Sequence, residues 1–401
     1  MHSDSRRVLI VVENLPVPLD RRVWLEATTL VANGYTVSVI CPMMRGWNAA
    51  YEVIDGVYIY RHPMPIEAHS GAVSYAREYG NAIRHWFRLA RLVRRERGFD
   101  VIQGCNPPDL IFVLALWYRL RGVRYIFDHH DVCPELFEAK FGKRGLLYVI
   151  MKMLERLTFV TASVSMATNE SFRRIAIQRG GMAPEDVFVV RSAPRTESFL
   201  PAPADPALRK GAGAVIGYVG VIGQQEGMDL LVAAADHLIR ILGHTDVHFL
   251  IVGFGSHLDE VKRDVATRGL EAQFTFTGPQ YGGDLLAALN SCDIGVVPDP
   301  KNAMNDISTM NKIMEYMALE KPVVQFDLVE GRASAGEASL YARANDAVDF
   351  ADQIASLIAN PALRDRMGKL GRQRVLEQLG WEHSVPLLLA AYDRVFAKAK
   401  R

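Results

Sequence analysis

The chain has 401 residues, 49% of them hydrophobic and 23% charged, with a formal charge of +1, an ordinary globular composition long enough for two to three domains. Positions 1 to 200 hold 26 basic and 20 acidic residues and positions 201 to 401 hold 20 and 25, so the halves carry +6 and −5. That excess points the first half at something anionic but is too dilute for a nucleic-acid reader. Four scattered cysteines, Cys41, Cys105, Cys133 and Cys292, exclude a zinc site or a disulfide framework and suit a reducing cytosol.

Val8 to Val12 is a short β-branched run that reads as a strand buried on both faces of a parallel sheet, and it is too short for a signal peptide. A loop with Pro16, Pro18 and Asp20-Arg21-Arg22 follows, then a helix through Leu30, Gly34 and a strand over Thr36 to Ile40. In this βαβ unit the loop lies beyond a strand's carboxyl end, where ligands sit; the plainer reading has Arg21 and Arg22 only capping and solvating a helix start. An amphipathic helix is predicted from Tyr75 to Arg97. Its Arg84, Arg88, Arg91 and Arg95 share one face, with Ile83, Trp86, Phe87, Ala90 and Val93 largely opposite. Such a stripe is either a solvated face or a dock for anionic lipid headgroups, and the basic, apolar stretch Lys140 to Lys152 could add a second contact. The longest apolar run, Leu110 to Tyr118, is about half a membrane span, so no transmembrane segment is expected.

Strands are expected at Asp100 to Gly104 and at Tyr125 to Asp128, the second leading into His129-His130-Asp131-Val132-Cys133-Pro134. Histidines beside an aspartate invite a metal reading, but adjacent strand-end side chains point to opposite sides and no further ligand cluster is evident. A core histidine is the remaining plain alternative. Val187 to Arg191 reads as a strand, Pro201 to Gly213 as a linker and Ala214 to Val219 as the first strand of a second α/β domain. Gly220, Gly223 and Gly227 then open a helix without the spacing of a dinucleotide fingerprint. His248 to Val252 ends in Gly253-Phe254-Gly255, and Phe274 to Thr277 and Ile294 to Val297 are further strands. A polar run from Asn302 to Asn311 opens a short helix in which Lys312 and Glu315, three apart, share a face while Ile313, Met314, Met317 and Ala318 are buried. That helix stops at Pro322 and runs into the strand Val323 to Phe326; no repeat of 20 to 50 residues is visible.

The segment Lys312-Ile313-Met314-Glu315-Tyr316-Met317-Ala318, with Lys321-Pro322-Val323-Val324 behind it, resembles the donor-binding helix of retaining family 4 glycosyltransferases of the GT-B fold. Pro18-Leu19-Asp20-Arg21-Arg22-Val23-Trp24 is similar to a bacterial polysaccharide-assembly subgroup, and His130-Asp131-Val132-Cys133-Pro134 to the family's strand-end histidine motif. The resemblance covers nearly the whole chain. It implies two doubly wound, Rossmann-like α/β domains facing across a cleft: an acceptor domain over 1–195, a nucleotide-sugar domain over 196–380, and a C-terminal helix over 381–401 that crosses back to the first.

By the same resemblance, Glu315 accepts the ribose hydroxyls, Lys312 lies near the diphosphate and His130 lines the donor sugar, these three being the catalytic candidates. Gly220, Gly223, Gly253, Gly255, Thr309, Met310 and Asn311 complete the donor set, and Asp20, Arg21, Arg22 and Asp131 the acceptor side. No cofactor and no metal are implied, since no paired-aspartate motif ends a strand. The implied activity is transfer, with retention, from a UDP- or GDP-linked sugar to a lipid-linked saccharide, by a cytoplasmic enzyme peripheral on the inner face of the membrane, with no nucleic acid as partner. A sugar-nucleotide 2-epimerase, or a silent scaffold of a polysaccharide-assembly complex, are the alternatives. Two positions depart from the family: Glu226 stands where a loop lysine is usual, and Ile307 where a first glutamate is usual, for which Asp306 or the N–H groups of Ser308 to Asn311 could substitute.

Overall fold

The computed structural model describes residues 6–44, 46–63, 72–142 and 144–399. The chain divides into two compact units. One holds the residues up to Glu138, Gly142–Val190 and the chain from Ser384; the other holds Ala139–Phe141 and Arg191–His383. Their boundaries lie at 190/191 and 383/384, against the expected 195/196 and 380/381.

The first unit is an eight-stranded sheet of β1 (Arg7–Val12), β2 (Thr36–Met43), β3 (Tyr51–Ile54), β4 (Val57–Pro63), β5 (Val101–Cys105), β6 (Arg124–His129), β7 (Val164–Ala167) and β8 (Val187–Val189). Their order is β3-β4-β2-β1-β5-β6-β7-β8, parallel except where β3 runs back along β4. The helices are α1 (Arg21–Ala32), α2 (Ala72–Glu96), α3 (Phe112–Arg119), α4 (Cys133–Phe141), α5 (Leu146–Thr161) and α6 (Glu170–Gln178). β1 is buried along almost its whole length, which is why Val8 to Val12 is a continuous apolar run rather than an alternating one, and β5 is buried throughout although it carries Gln103. The order reverses between β1 and β5, and the carboxyl ends there form the switch point at which doubly wound sheets bind ligands. The β3–β4 hairpin has no counterpart in the sequence reading. Its signal was the pair Asp55-Gly56, both with positive φ (46° and 79°), which turns the chain between the two strands.

The second unit is a six-stranded, all-parallel sheet of β9 (Ala214–Val221), β10 (Val247–Phe254), β11 (Phe274–Gly278), β12 (Ile294–Val297), β13 (Val323–Phe326) and β14 (Ser339–Ala342). The order is β11-β10-β9-β12-β13-β14, reversing between β9 and β12. Apolar layers cover both faces: Leu231, Phe249, Val324 and Ile354 lie on one, and Leu250, Val297, Ile313 and Met317 on the other. The stretch predicted as a linker is not a free tether. Pro206–Arg209 forms a helical turn capped by Asp205, and Arg209 pairs with Asp293 at 2.9 Å.

The C-terminal helix spans Trp381–Ala399, and from Ser384 its residues belong to the first unit, where Arg394 meets Asp186 at 2.8 Å and Tyr392 donates to Gln103. No helix among the described residues is long and apolar enough to cross a membrane.

Candidate functional site

The first unit gathers charge at the carboxyl ends of β1, β5 and β6. Asp20 caps α1, its carboxylate accepting the Val23 N–H at 3.1 Å, and this start places Arg22 one turn from Glu26 on the face turned to the sheet. The Arg22 guanidinium is buried. It donates to Asp128 Oδ1 at 2.6 Å and to the Val190 carbonyl at 2.6 Å, and pairs with Glu26 at 3.2 Å. Asp128, fully buried at the end of β6, also accepts from Gln103 Nε2 at 3.0 Å and meets His130 Nε2 at 2.6 Å. Arg22 is therefore the counter-ion of a buried carboxylate. Arg21, its neighbour, is exposed.

Electrostatics follow from this packing. Burial works against the charge on Asp128, yet Arg22 and His130 outweigh it and hold the carboxyl well below the usual range. Burial, with Asp128 beside it, pushes Glu26 up to about 8, and its Oε2 accepts from Gln103 Nε2 at 2.6 Å. For His130, desolvation opposes the imidazolium but Asp128 prevails and the pKa is raised. The ring keeps 14% of its side-chain surface open, so it is held from behind and accessible in front. Asn106 fixes the backbone here. Its Oδ1 accepts the N–H groups of His130 at 2.7 Å and Asp131 at 3.2 Å, and its Nδ2 donates to the Asp131 carbonyl at 2.6 Å.

His129 points the other way, as strand alternation requires. Its ring lies among Phe127, Phe159 and Phe172, and burial followed by the charge of Arg179 pushes its pKa down to about 3. It is the core histidine of the pair. Cys105, Asp128 and His130 do bring three ligand-type atoms within 4.8 Å of one another, a juxtaposition the sequence did not suggest. The set fits a dication poorly: Arg22 already neutralises Asp128, and burial holds the Cys105 thiol protonated, well above its ordinary value.

The second unit carries the other cluster. Gly220 and Gly253 stand side by side at the ends of β9 and β10, both at positive φ (150° and 147°); a Cβ on Gly253 would lie 1.8 Å from the Gly220 carbonyl oxygen. Gly223 is buried in the following turn, and Gly255 sits against Ile222. Over this glycine turn comes the helix Asn311–Ala318. It is clamped to the sheet by Tyr316, whose hydroxyl donates to the Gly217 carbonyl at 2.8 Å and accepts the Val219 N–H at 3.0 Å, while Gly295 leaves room for the ring. The clamp sets Lys312 above β9: its Nζ donates to Asp299 Oδ2 at 2.8 Å and lies 4.6 Å from the centre of the Tyr218 ring. Glu315, on the same face, is buried to 8% exposure. Thr309 and Met310 are half-buried and Asn311 is exposed at the start of the helix, which no side chain caps. Asp306 is engaged elsewhere, accepting the Val329 N–H at 3.0 Å and meeting Lys301 at 3.2 Å, so it does not replace the carboxylate missing at Ile307.

Asp128, Glu26, Gln103 and Tyr218 were not singled out from the sequence. Their signal was there: each is a polar or ionisable residue within an otherwise apolar strand or helix face, where burial demands a partner.

Comparison with known proteins completes this picture. Residues 19–193 match the model of the glycosyl transferase 4-like domain, and residues 213–360 match that of glycosyl transferases group 1. The chain is a family 4-like glycosyltransferase with the GT-B fold. This glycosyltransferase is 24% identical over 319 residues to 2-deoxystreptamine glucosyltransferase of Streptomyces kanamyceticus, covering 77% of this chain and 81% of that one. It is 22% identical over 383 residues to the capsular polysaccharide biosynthesis glycosyltransferase CapM of Staphylococcus aureus, covering 86% and 93%. Among solved structures it is similar to Anabaena Alr3699/HepE in complex with UDP-glucose, at TM-score 0.72 and 13% identity over 96% of this chain and 99% of that one. In this glycosyltransferase, then, the His130 cluster belongs to the 4-like domain and the Lys312 cluster to the group 1 domain.

Proposed function

We propose that this glycosyltransferase moves a sugar, with retention at the anomeric carbon, from a nucleotide-sugar to a lipid-linked saccharide in cell-surface polysaccharide assembly. The observation that carries the reading is Lys312: an ammonium 11% exposed, seated beside the glycine turn of Gly220 and Gly253 at the switch point of the second sheet. Breaking a glycosyl–phosphate bond leaves negative charge on the departing diphosphate, and a cation preorganised in a dry site stabilises that charge more in the transition state than in the ground state. Glu315, one turn along, offers two acceptor oxygens to a ribose diol. The UDP-glucose complex of HepE supports a uridine donor, and the capsular polysaccharide role of CapM supports the acceptor class.

The test is a calorimetric titration with UDP- and GDP-sugars, paired with nucleotide release in the presence of membrane lipid extract. One donor is expected to bind, and Glu315→Ala to weaken it on the order of tenfold or more while folding normally, given ~1.5–3 kcal/mol for a hydrogen bond to a charged group. Unaltered binding in Glu315→Ala would remove the ribose assignment. Release of free 2-epimerised sugar-nucleotide would make the enzyme an epimerase, and no turnover with any donor would leave a scaffold.

A membrane face is part of the proposal. Arg84, Arg88, Arg91 and Arg95 are all exposed on α2, while Trp86, Ala90 and Val93 are buried. On α5, Leu146, Val149, Met153, Leu157 and Val160 recur at helical spacing and are 41–77% exposed, an apolar stripe of the kind that enters the headgroup layer. Replacing Arg84, Arg88 and Arg91 by glutamine is expected to reduce sedimentation with anionic liposomes, at roughly 1 kcal/mol per residue, and to spare activity on a soluble acceptor analogue. If the wild-type protein ignores anionic liposomes at low salt, both stripes are solvated surface.

A further inference from the structure

The residue where the family's loop lysine is expected is the acidic Glu226, and its surroundings say how it is used. It closes the short turn Gln224–Glu226 between the end of β9 and the helix Met228–Arg240, in the same loop as Gly223. Its Oε2 is buried and has no hydrogen-bond partner among the described residues, and it lies 2.6 Å from where a Cβ on Gly223 would stand. A bare carboxyl oxygen of this kind costs free energy unless a ligand or a proton meets it. The titratable and charged groups that face it are Tyr218 of β9, Asp299 beyond β12 and Lys312 of the helix Asn311–Ala318.

Charge counting decides the rest. Lys312 is already paired with Asp299 at 2.8 Å, so an ionised Glu226 would leave the pocket at −1 and repel the diphosphate it is meant to hold. With Glu226 protonated the three groups sum to zero, and the carboxylic acid becomes a hydrogen-bond donor where an anion has only acceptors. Resting on the donor reading above, we propose that Glu226 binds the nucleotide-sugar as a neutral carboxylic acid, donating to a phosphate oxygen, so that at alkaline pH a proton is taken up with the donor. Burial, and next the charge of Asp299, push its pKa up to about 7 against the opposing effects of Lys312 and of the backbone N–H groups of Gly223 and Glu226, so the proton costs little near neutral pH. An arriving anion raises the pKa further.

Linkage sets the sign. Below pH ~7 the free protein already carries the proton and affinity is flat; above it the proton must be acquired on binding, and affinity falls toward tenfold per pH unit. The experiment is calorimetry at pH 6.5 and 8.5, in two buffers of different ionisation enthalpy, with whichever nucleotide-sugar binds best in the donor panel. The diphosphate diester of such a donor does not titrate between those values, so it contributes no slope of its own. Wild type is expected to bind roughly tenfold or more weakly at pH 8.5, with proton uptake approaching one. Glu226→Gln keeps a donor without a titrating proton and is expected to match the pH 6.5 affinity at both values with no uptake. Glu226→Ala, which removes the donor, is expected to bind weakly at both. The proposal falls if wild type binds with no pH slope, or if Glu226→Gln retains the wild-type slope and uptake. Failure of every nucleotide-sugar to bind wild type at pH 6.5 would overturn the donor reading itself, a result distinct from pH-independent binding.

Discussion

Replacing His130 by alanine is expected to lower turnover by about 10² or more, with nucleotide affinity and melting temperature nearly unchanged. The ring is held by Asp128 at 2.6 Å through Nε2 and by Asn106 through its backbone N–H at 2.7 Å, which fixes both its position and its charge. Nδ1 makes no hydrogen bond among the described residues, and a raised pKa makes the imidazolium available as a donor to a sugar or phosphate oxygen. Removing the ring costs little stability, because Arg22 and Gln103 still satisfy Asp128. Steady-state kinetics, calorimetric nucleotide binding and thermal melting on wild type and variant decide the matter. Near-normal turnover would move the catalytic centre elsewhere, and a large drop in melting temperature would make His130 a packing residue. Loss of wild-type activity to a chelator would make it a metal ligand instead.

Arg22→Ala has the largest expected effect on the fold, a loss of ~3–5 kcal/mol of unfolding free energy. The mutation leaves Asp128, fully buried, facing Glu26 with His130 as its remaining counter-ion, and it strips the Val190 carbonyl of its donor. Part of that loss should return when Asp128→Asn is added, since the double variant no longer buries an unpaired charge. Urea denaturation of the two single variants and the double variant measures this coupling directly. A variant as stable as wild type that had lost only acceptor affinity would put Arg22 back on the acceptor side.

Much of the architecture was readable along the chain. Runs such as Val8 to Val12 and Ile294 to Val297 are apolar throughout because strands of a doubly covered parallel sheet have no polar face, and this period is visible without coordinates. The short helix carrying Lys312 and Glu315 was legible for the same reason, its spacing alone putting the two side chains on one face. The β3–β4 hairpin escaped because its edge strand, Tyr51–Ile54, is half-exposed and carries no core pattern, leaving only the Asp55-Gly56 turn to mark it.

What the sequence by itself determined is therefore most of the elements, the two α/β halves and the position of the groups beyond strand ends: His130 after β6, the glycines after β9, Lys312 and Glu315 on their helix. Each of these depends on interactions within about one turn or one strand, where spacing dictates direction. Only the tertiary structure decided which of the charged residues are partners. Arg22 and Asp128 are 106 positions apart, Tyr392 and Gln103 are 289 apart, and Lys312 reaches back to Asp299; nothing in local spacing distinguishes Arg22 from Arg21, yet one is a buried counter-ion and the other is exposed. Protonation follows partnership, because the Asp128 carboxyl is held ionised beside Arg22 while burial and the charge of Asp299 push the Glu226 carboxyl up to about 7, so the same functional group does opposite chemistry according to what the fold sets against it.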